Sequence, residues 1–162
     1  MRLNRKAVST CIALTITILG GALPARGQVP DTGLEGVKAV DIIVESLSEF
    51  AAKCGVTKSG IDAAIRLPLD ASRLQIDAKA TPYAYAKVNV LQMPGGCVAS
   101  VDLSLRRTMT MPLTAKPAYG VSVWDDGSLL TGPSYDFGQR VNQEVEELIK
   151  KLIAAWVKVN PK

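Results

Sequence analysis

Two alternating stretches, Tyr83 to Leu91 and Val98 to Arg107, flank the turn sequence Pro94-Gly95-Gly96, and this arrangement constrains the fold more than any other feature. Successive side chains of a strand point to opposite faces. Ala84, Ala86, Val88 and Val90 therefore share one face of the first stretch, and Tyr83, Tyr85, Lys87 and Asn89 the other. In the second stretch Ala99, Val101, Leu103 and Leu105 point one way, and Ser100, Asp102, Ser104 and Arg106 the other. Clean alternation of this kind belongs to an antiparallel sheet with one buried and one wet face. Cys97 stands where the second strand begins.

A sheet with one apolar face needs a cover, and the C-terminus supplies it. Val141, Val145, Leu148, Ile149, Leu152, Ile153 and Trp156 recur with the helical period, which predicts an amphipathic helix. Glu144, Glu146 and Glu147 precede Lys150, Lys151 and Lys158, the polarity that the helix dipole favours. Asp136 with Gln139 resembles a capping box. A second helix is predicted after Thr57, an N-cap residue, with Ile61, Ala64, Ile65 and Leu69 inward and Pro68 ending or kinking it. Val40, Ile42 and Val44 mark a strand within residues 37–46, and Leu74 and Ile76 a shorter one within 73–78. Between them, Leu47, Phe50, Ala51 and Cys54 have helical spacing over a single turn. Residues 108–118 carry two prolines and read as a loop. Tyr119, Val121 and Val123 then form one face of a strand closed by an Asp125-Asp126-Gly127 turn.

The first 27 residues read as a secretory leader rather than as part of the fold. Arg2, Arg5 and Lys6 precede an apolar run from Cys11 to Leu23, and a small-x-small site at Ala25-Arg26-Gly27 suggests cleavage before Gln28, with Ala22 and Ala25 as alternative cut points. The run is too short to span a bilayer, which needs about 20 residues. Residues 28–36, rich in Pro, Gly and Asp, read as a flexible lead-in, and residues 37–162 as a single domain. The leader's four cations account for the whole excess of 19 basic over 15 acidic residues. A balanced mature chain argues against nucleic acid as a partner, because such affinity rests on clustered cations. Export places the chain in the periplasm or outside the cell, where disulfides persist, and pairs Cys54 with Cys97. The alternative is two buried free thiols.

The chain contains no histidine, which excludes histidine-based triads and the usual proton shuttles and leaves metal or haem sites without imidazole. No cofactor is implied, and no glycine-rich phosphate loop occurs. Two carboxylates suffice for glycoside chemistry, and Asp125 with Asp126 is the obvious pair, but the same residues before a glycine are turn chemistry. No calcium-loop pattern accompanies them. Tyr83 and Tyr85, with Lys87 and Asn89 on the same strand face, form the candidate binding surface, since tyrosine combines a large apolar body with a polar tip. Strand propensity alone also accounts for the two tyrosines.

From Val37 onward the stretches "VESLSEFAAKCGVT", "PYAYAKVNVL", "CVASVDLSL" and "VSVWDDG", with a terminal helix ending in "VNPK", resemble small exported bacterial proteins of uncharacterised function. The order of elements is also similar to the N-terminal α/β domain of the TolB family of envelope proteins. These resemblances imply an accessory role in the cell envelope and bring no catalytic residue. The expectation is an α+β domain: about five strands, mostly antiparallel, with two helices on one face and one disulfide. In function it is a non-enzymatic periplasmic binding or adaptor protein with an envelope protein partner. The alternative is a carrier or sensor of a small apolar ligand held between sheet and helices, and a carboxylate hydrolase ranks behind both.

Overall fold

The computed structural model describes residues 33–111 and 113–162, so the leader and residues 28–32 of the lead-in lie outside it. The elements are β1 (Ala39–Val44), a 3-10 turn (Ala52–Cys54), α1 (Lys58–Asp70), β2 (Gln75–Ile76), β3 (Tyr83–Met93), β4 (Gly96–Thr110), β5 (Pro117–Gly132) and α2 (Phe137–Val159). The strands form one sheet in the order β2-β1-β3-β4-β5. The fold is α+β.

The sheet is mixed rather than mostly antiparallel. β1 pairs in parallel with β2 on one side and β3 on the other, whereas β3, β4 and β5 pair antiparallel. Parallel neighbours require a long crossover, and the segment holding the 3-10 turn and α1 supplies it between β1 and β2. No local signal in six residues of β1 distinguishes that pairing from a hairpin.

Four further expectations need correction. The loop expected over 108–118 is shorter, because β4 runs to Thr110 and β5 starts at Pro117, and the connection between them is closed by the Met111 N–H donating to the Lys116 carbonyl at 2.9 Å. Asp125-Asp126-Gly127 is not a turn: β5 passes straight through it, with Ser104, Leu103 and Asp102 as the respective partners. A β-carbon at Gly127 would lie 2.7 Å from Asp102 Oδ1 and 2.9 Å from the Val101 carbonyl oxygen, so this glycine permits close strand approach. Of the two effects expected of Pro68, ending the helix does not occur: α1 continues to Asp70 and seats Leu69 in the core. The ring stands in the last turn, where it removes a single backbone donor. The strand expected over 73–78 is reduced to Gln75 and Ile76, as edge strands commonly are.

Other expectations hold locally. Thr57 Oγ1 accepts from the Gly60 N–H at 3.1 Å, capping α1. The capping box expected of Asp136 and Gln139 does not form: Asp136 precedes α2 but makes no side-chain cap bond, and its Oδ1 is buried without a partner. All seven predicted apolar positions of α2 reach the core, with Ile153 partly exposed. The alternate residues Ala86, Val88 and Val90 of β3 and Ala99, Val101, Leu103 and Leu105 of β4 join the α1 and α2 stripes in one hydrophobic cluster. Such a cluster stabilises by about 1.5–3 kcal/mol for each large side chain fully buried.

The disulfide Cys54–Cys97 joins the 3-10 turn to the start of β4, with Cα atoms 6.1 Å apart. At the other end of the molecule, Trp156 Nε1 donates to the Val37 carbonyl at 2.8 Å. Asn160 Nδ2 donates to the Leu34 carbonyl, and its Oδ1 accepts from the Gly36 N–H. Leu34, which the sequence places in the flexible lead-in, is fully buried. The core therefore begins before Val37.

Candidate functional site

The register of the antiparallel strands decides which side chains meet on the wet face. Tyr83 lies opposite Arg106, Tyr85 opposite Ser104, Lys87 opposite Asp102 and Asn89 opposite Ser100. On β5, Asp125 stands beside Ser104, Gly127 beside Asp102 and Leu129 beside Ser100. The parallel pairing of β1 adds Asp41 and Ile43 beyond the tyrosines, and Glu45, just past the strand, follows them through its N–H donating to the Ala86 carbonyl at 3.0 Å. All four residues singled out from sequence are thus on one face: Tyr83 and Tyr85 half-buried, Lys87 and Asn89 exposed.

The tyrosine end is a small ordered cluster. The Tyr83 and Tyr85 rings meet edge to face, with centroids 6.5 Å apart. The Arg106 guanidinium stacks over the Tyr85 ring at 4.0 Å and donates from Nε to Ser104 Oγ at 3.0 Å. Ser104 is the one buried polar residue among those described. Hydrogen bonding toward the Glu45 carboxylate, followed by loss of hydration, pushes the Tyr85 phenol above its usual range, and Arg106 opposes the shift. Glu45 Oε2 is itself buried without a partner.

The far end is apolar. Leu91, Met93 and Leu129 are exposed there, Leu129 by 71 %. Between the two ends the face is polar, with Asn89 Nδ2 donating to Ser100 Oγ at 3.3 Å. The result is a stripe with an aromatic-cationic end, a polar middle and an apolar end, suited to contact rather than to bond making. Alternation alone places Arg106 on this face, and the register adds its position over Tyr85. Glu45 and Leu129 were missed, because only strand order and register bring them beside the tyrosines.

The remaining candidates are dispersed. Asp126 points away from this face and accepts from Lys151 Nζ on α2 at 2.8 Å. That bond, with one from the Gly127 N–H, holds its carboxyl below the usual range. Asp125 is exposed on the tyrosine-bearing face, opposite to Asp126, so the two carboxylates do not converge on one substrate position. Among the described residues no cluster of three metal-ligating side chains occurs, and no helix is long and apolar enough to cross a membrane. A cavity of about 540 Å³ lies between the end of α1 and the second half of α2, floored by Pro68, Ala71, Ile153 and Val157, with Arg73, Lys150 and Lys162 around it. No protein-family model matches the sequence, and no curated protein matches it.

Proposed function

We propose that this is an exported, non-enzymatic binding or adaptor protein of the cell envelope, and that it holds a protein partner on the sheet face bearing Tyr83, Tyr85, Lys87 and Asn89. We further read α1 and α2 as covering the same opposite face of the sheet. Support for this comes from their mutual contact and from the single cluster their apolar stripes share with the inward residues of β3 and β4. The observation that carries the functional reading is the composition of the uncovered face: two half-buried tyrosines at one end and exposed Leu91, Met93 and Leu129 at the other. Exposed apolar side chains grouped at one end of a polar face mark interaction sites, and tyrosine and arginine, which occupy the other end, are among the side chains that dominate binding energy at such sites.

The test is crosslinked capture of the tagged protein from its own host's envelope, with the Tyr83→Ala/Tyr85→Ala variant in parallel. A stoichiometric partner held by the wild type and lost by a variant that keeps its melting temperature supports the reading. Catalytic turnover by the purified protein, abolished by a point mutation, overturns it.

The second reading is a carrier, though its expected place between sheet and helices is not where the space lies. An open groove of about 540 Å³ runs between the end of α1 and the second half of α2, lined by the helices and chain ends and by no strand residue, and its size is that of small-molecule sites, about 300–1,000 Å³. Native mass spectrometry of protein purified from its host tests it. A reproducible added mass supports a carrier, and the bare polypeptide mass removes the idea.

A further inference from the structure

The paired strands β4 and β5 run past the rest of the sheet. β3 begins at Tyr83, opposite Arg106, so Arg107 to Thr110 and their β5 partners form a two-stranded arm without a third strand. Where the arm leaves the sheet its register shifts twice. Val123 is an extra residue between the Leu105 and Arg106 pairings, and Tyr119 with Gly120 faces Thr108 alone. Gly120 takes φ +65°, the left-handed geometry that a bulge glycine supplies. Bulges bend a hairpin and increase its twist, so the arm is set at an angle by its own sequence.

The arm presents apolar side chains to solvent. Leu113 is 99 % exposed and Tyr119 78 %, and Met109 and Met111 are exposed beside them. A disordered or purely solvated tip has no need of such residues, and this one is ordered by the Met111–Lys116 bond and by the Thr114 and Ala115 N–H groups donating to the Met111 carbonyl. The charge is one-sided. From Leu103 to Trp124 the chain carries Arg106, Arg107 and Lys116 and no carboxylate side chain, although the described chain as a whole has many. Arg106 and Arg107 are held at the base, over Tyr85 and on the Gly33 carbonyl, which leaves Lys116 at the tip.

We propose that this arm is a peripheral membrane contact: its tip inserts Met111 and Leu113 into the interfacial layer of an anionic bilayer, with Lys116 against the headgroups and Tyr119 lower on the arm, toward the boundary with water. Interfacial binding grows with inserted apolar area together with attraction to anionic lipid, and the tip offers both. Tyrosine suits the boundary because its ring is apolar and its hydroxyl wet. A protein partner would be expected to present acidic groups to the same cation, but an isolated projecting tip offers little of the area that a stable protein interface buries. The base of the arm touches the tyrosine face, since a β-carbon at Gly120 would lie 3.0 Å from the Tyr83 hydroxyl, but Met111, Leu113 and Lys116 stand beyond it, so substitutions at the tip test the arm without altering the tyrosine face.

The experiment is flotation of protein purified from cells expressing the full chain, with vesicles of equimolar phosphatidylglycerol and phosphatidylethanolamine, and with phosphatidylcholine alone for comparison. The wild type is expected to float with the anionic vesicles and to be released by salt. Met111→Ser/Leu113→Ser should lose about tenfold or more of that binding with an unchanged melting curve. Lys116→Glu, which leaves the apolar tip intact, should weaken anionic binding and reduce its salt dependence. Lys87→Ala/Asn89→Ala, on the same sheet face but away from the arm, should float as the wild type does. Absence of flotation, equal flotation on both compositions, or full flotation of the double serine variant overturns the proposal. So does a lipid-free complex, with a second copy or another protein, that depends on Met111 and Leu113.

Discussion

The Arg106 guanidinium lies 4.0 Å from the centroid of the Tyr85 ring, placing a fixed cation on an aromatic side chain whose phenol is also held above its usual range by Glu45. The two neighbours act on the phenol in opposite senses. Hydrogen bonding to the Glu45 carboxylate raises its pKa, and Arg106 lowers it. A phenol raised in the folded state contributes stability below its unfolded value, and that contribution is lost as the pH rises through the folded value. Glu45→Gln is therefore expected to return the phenol toward its ordinary value, and Arg106→Ala to raise it further. Ultraviolet titration of tyrosinate, with Tyr85→Phe subtracted to isolate this phenol, measures both shifts. An Arg106→Ala shift in the downward direction would contradict the geometry.

Cys54 and Cys97 are both buried and 43 residues apart in sequence. Closing a loop of that length removes entropy from the unfolded chain worth about 4 kcal/mol in the chain-entropy model. Reduction, or Cys54→Ala/Cys97→Ala, should lower the unfolding free energy by roughly that amount. Urea unfolding with and without reductant measures it. An unchanged midpoint would mean that the 3-10 turn and the start of β4 are held together by packing alone.

Sequence and structure agree where a pattern is long and its cause local. The β3–β4 hairpin repeats its two-residue alternation over enough positions to fix which side is wet. The α2 stripe repeats over enough turns to fix its buried face, down to Trp156. Disagreement arises where a short signal competes with strand pairing. Asp125-Asp126-Gly127 has turn chemistry when read alone, but the neighbouring strand pairs all three residues, and the glycine serves close approach to Asp102 instead of a reversal. The prolines around residues 108–118 likewise concealed the alternation of Thr108, Met109 and Thr110. Half of the candidate face was legible: four β3 residues could be placed together from spacing, whereas Glu45 and Leu129 join them only through strand order.

Lys151 on α2 reaches Asp126 on β5, tying helix to sheet across 25 residues of sequence. Hydrogen bonding to Lys151 and to the Gly127 N–H lowers the Asp126 pKa, and hydrogen bonding to Asp126 raises that of Lys151. The carboxylate's contribution is present above its unfolded pKa and lost as the pH falls through its lower folded value. The amine's is present below its unfolded value and lost as the pH rises through its higher folded one. Both side chains reach water, so the pair is worth about 0.2–1 kcal/mol. Asp126→Asn should be less stable than the wild type by that margin at neutral pH and equal to it in strong acid. A difference persisting unchanged into strong acid would assign the effect to packing.

Gly138, in the first turn of α2, faces the Gly55 carbonyl so closely that a β-carbon would overlap it. Both groups belong to backbone, and Gly55 follows directly on the disulfide turn at φ +70°, so neither can yield without moving α2 relative to Cys54. Alanine in place of glycine favours a helix by about 1 kcal/mol, whereas overpacking against rigid neighbours costs about 1–3 kcal/mol or more. With backbone on both sides, the overlap should win. Gly60 in α1 makes the contrast, because its nearest obstacle is the Asn142 side-chain amide, at 2.8 Å, which can rotate aside. Gly138→Ala is thus expected to lose about 2 kcal/mol, and Gly60→Ala to stay within about 1 kcal/mol of the wild type. Urea midpoints for the two variants decide the matter. Equal behaviour would show that the start of α2 is free to shift against the disulfide turn, and the close approach of Gly138 to Gly55 would then not be what sets the position of the helix on the sheet.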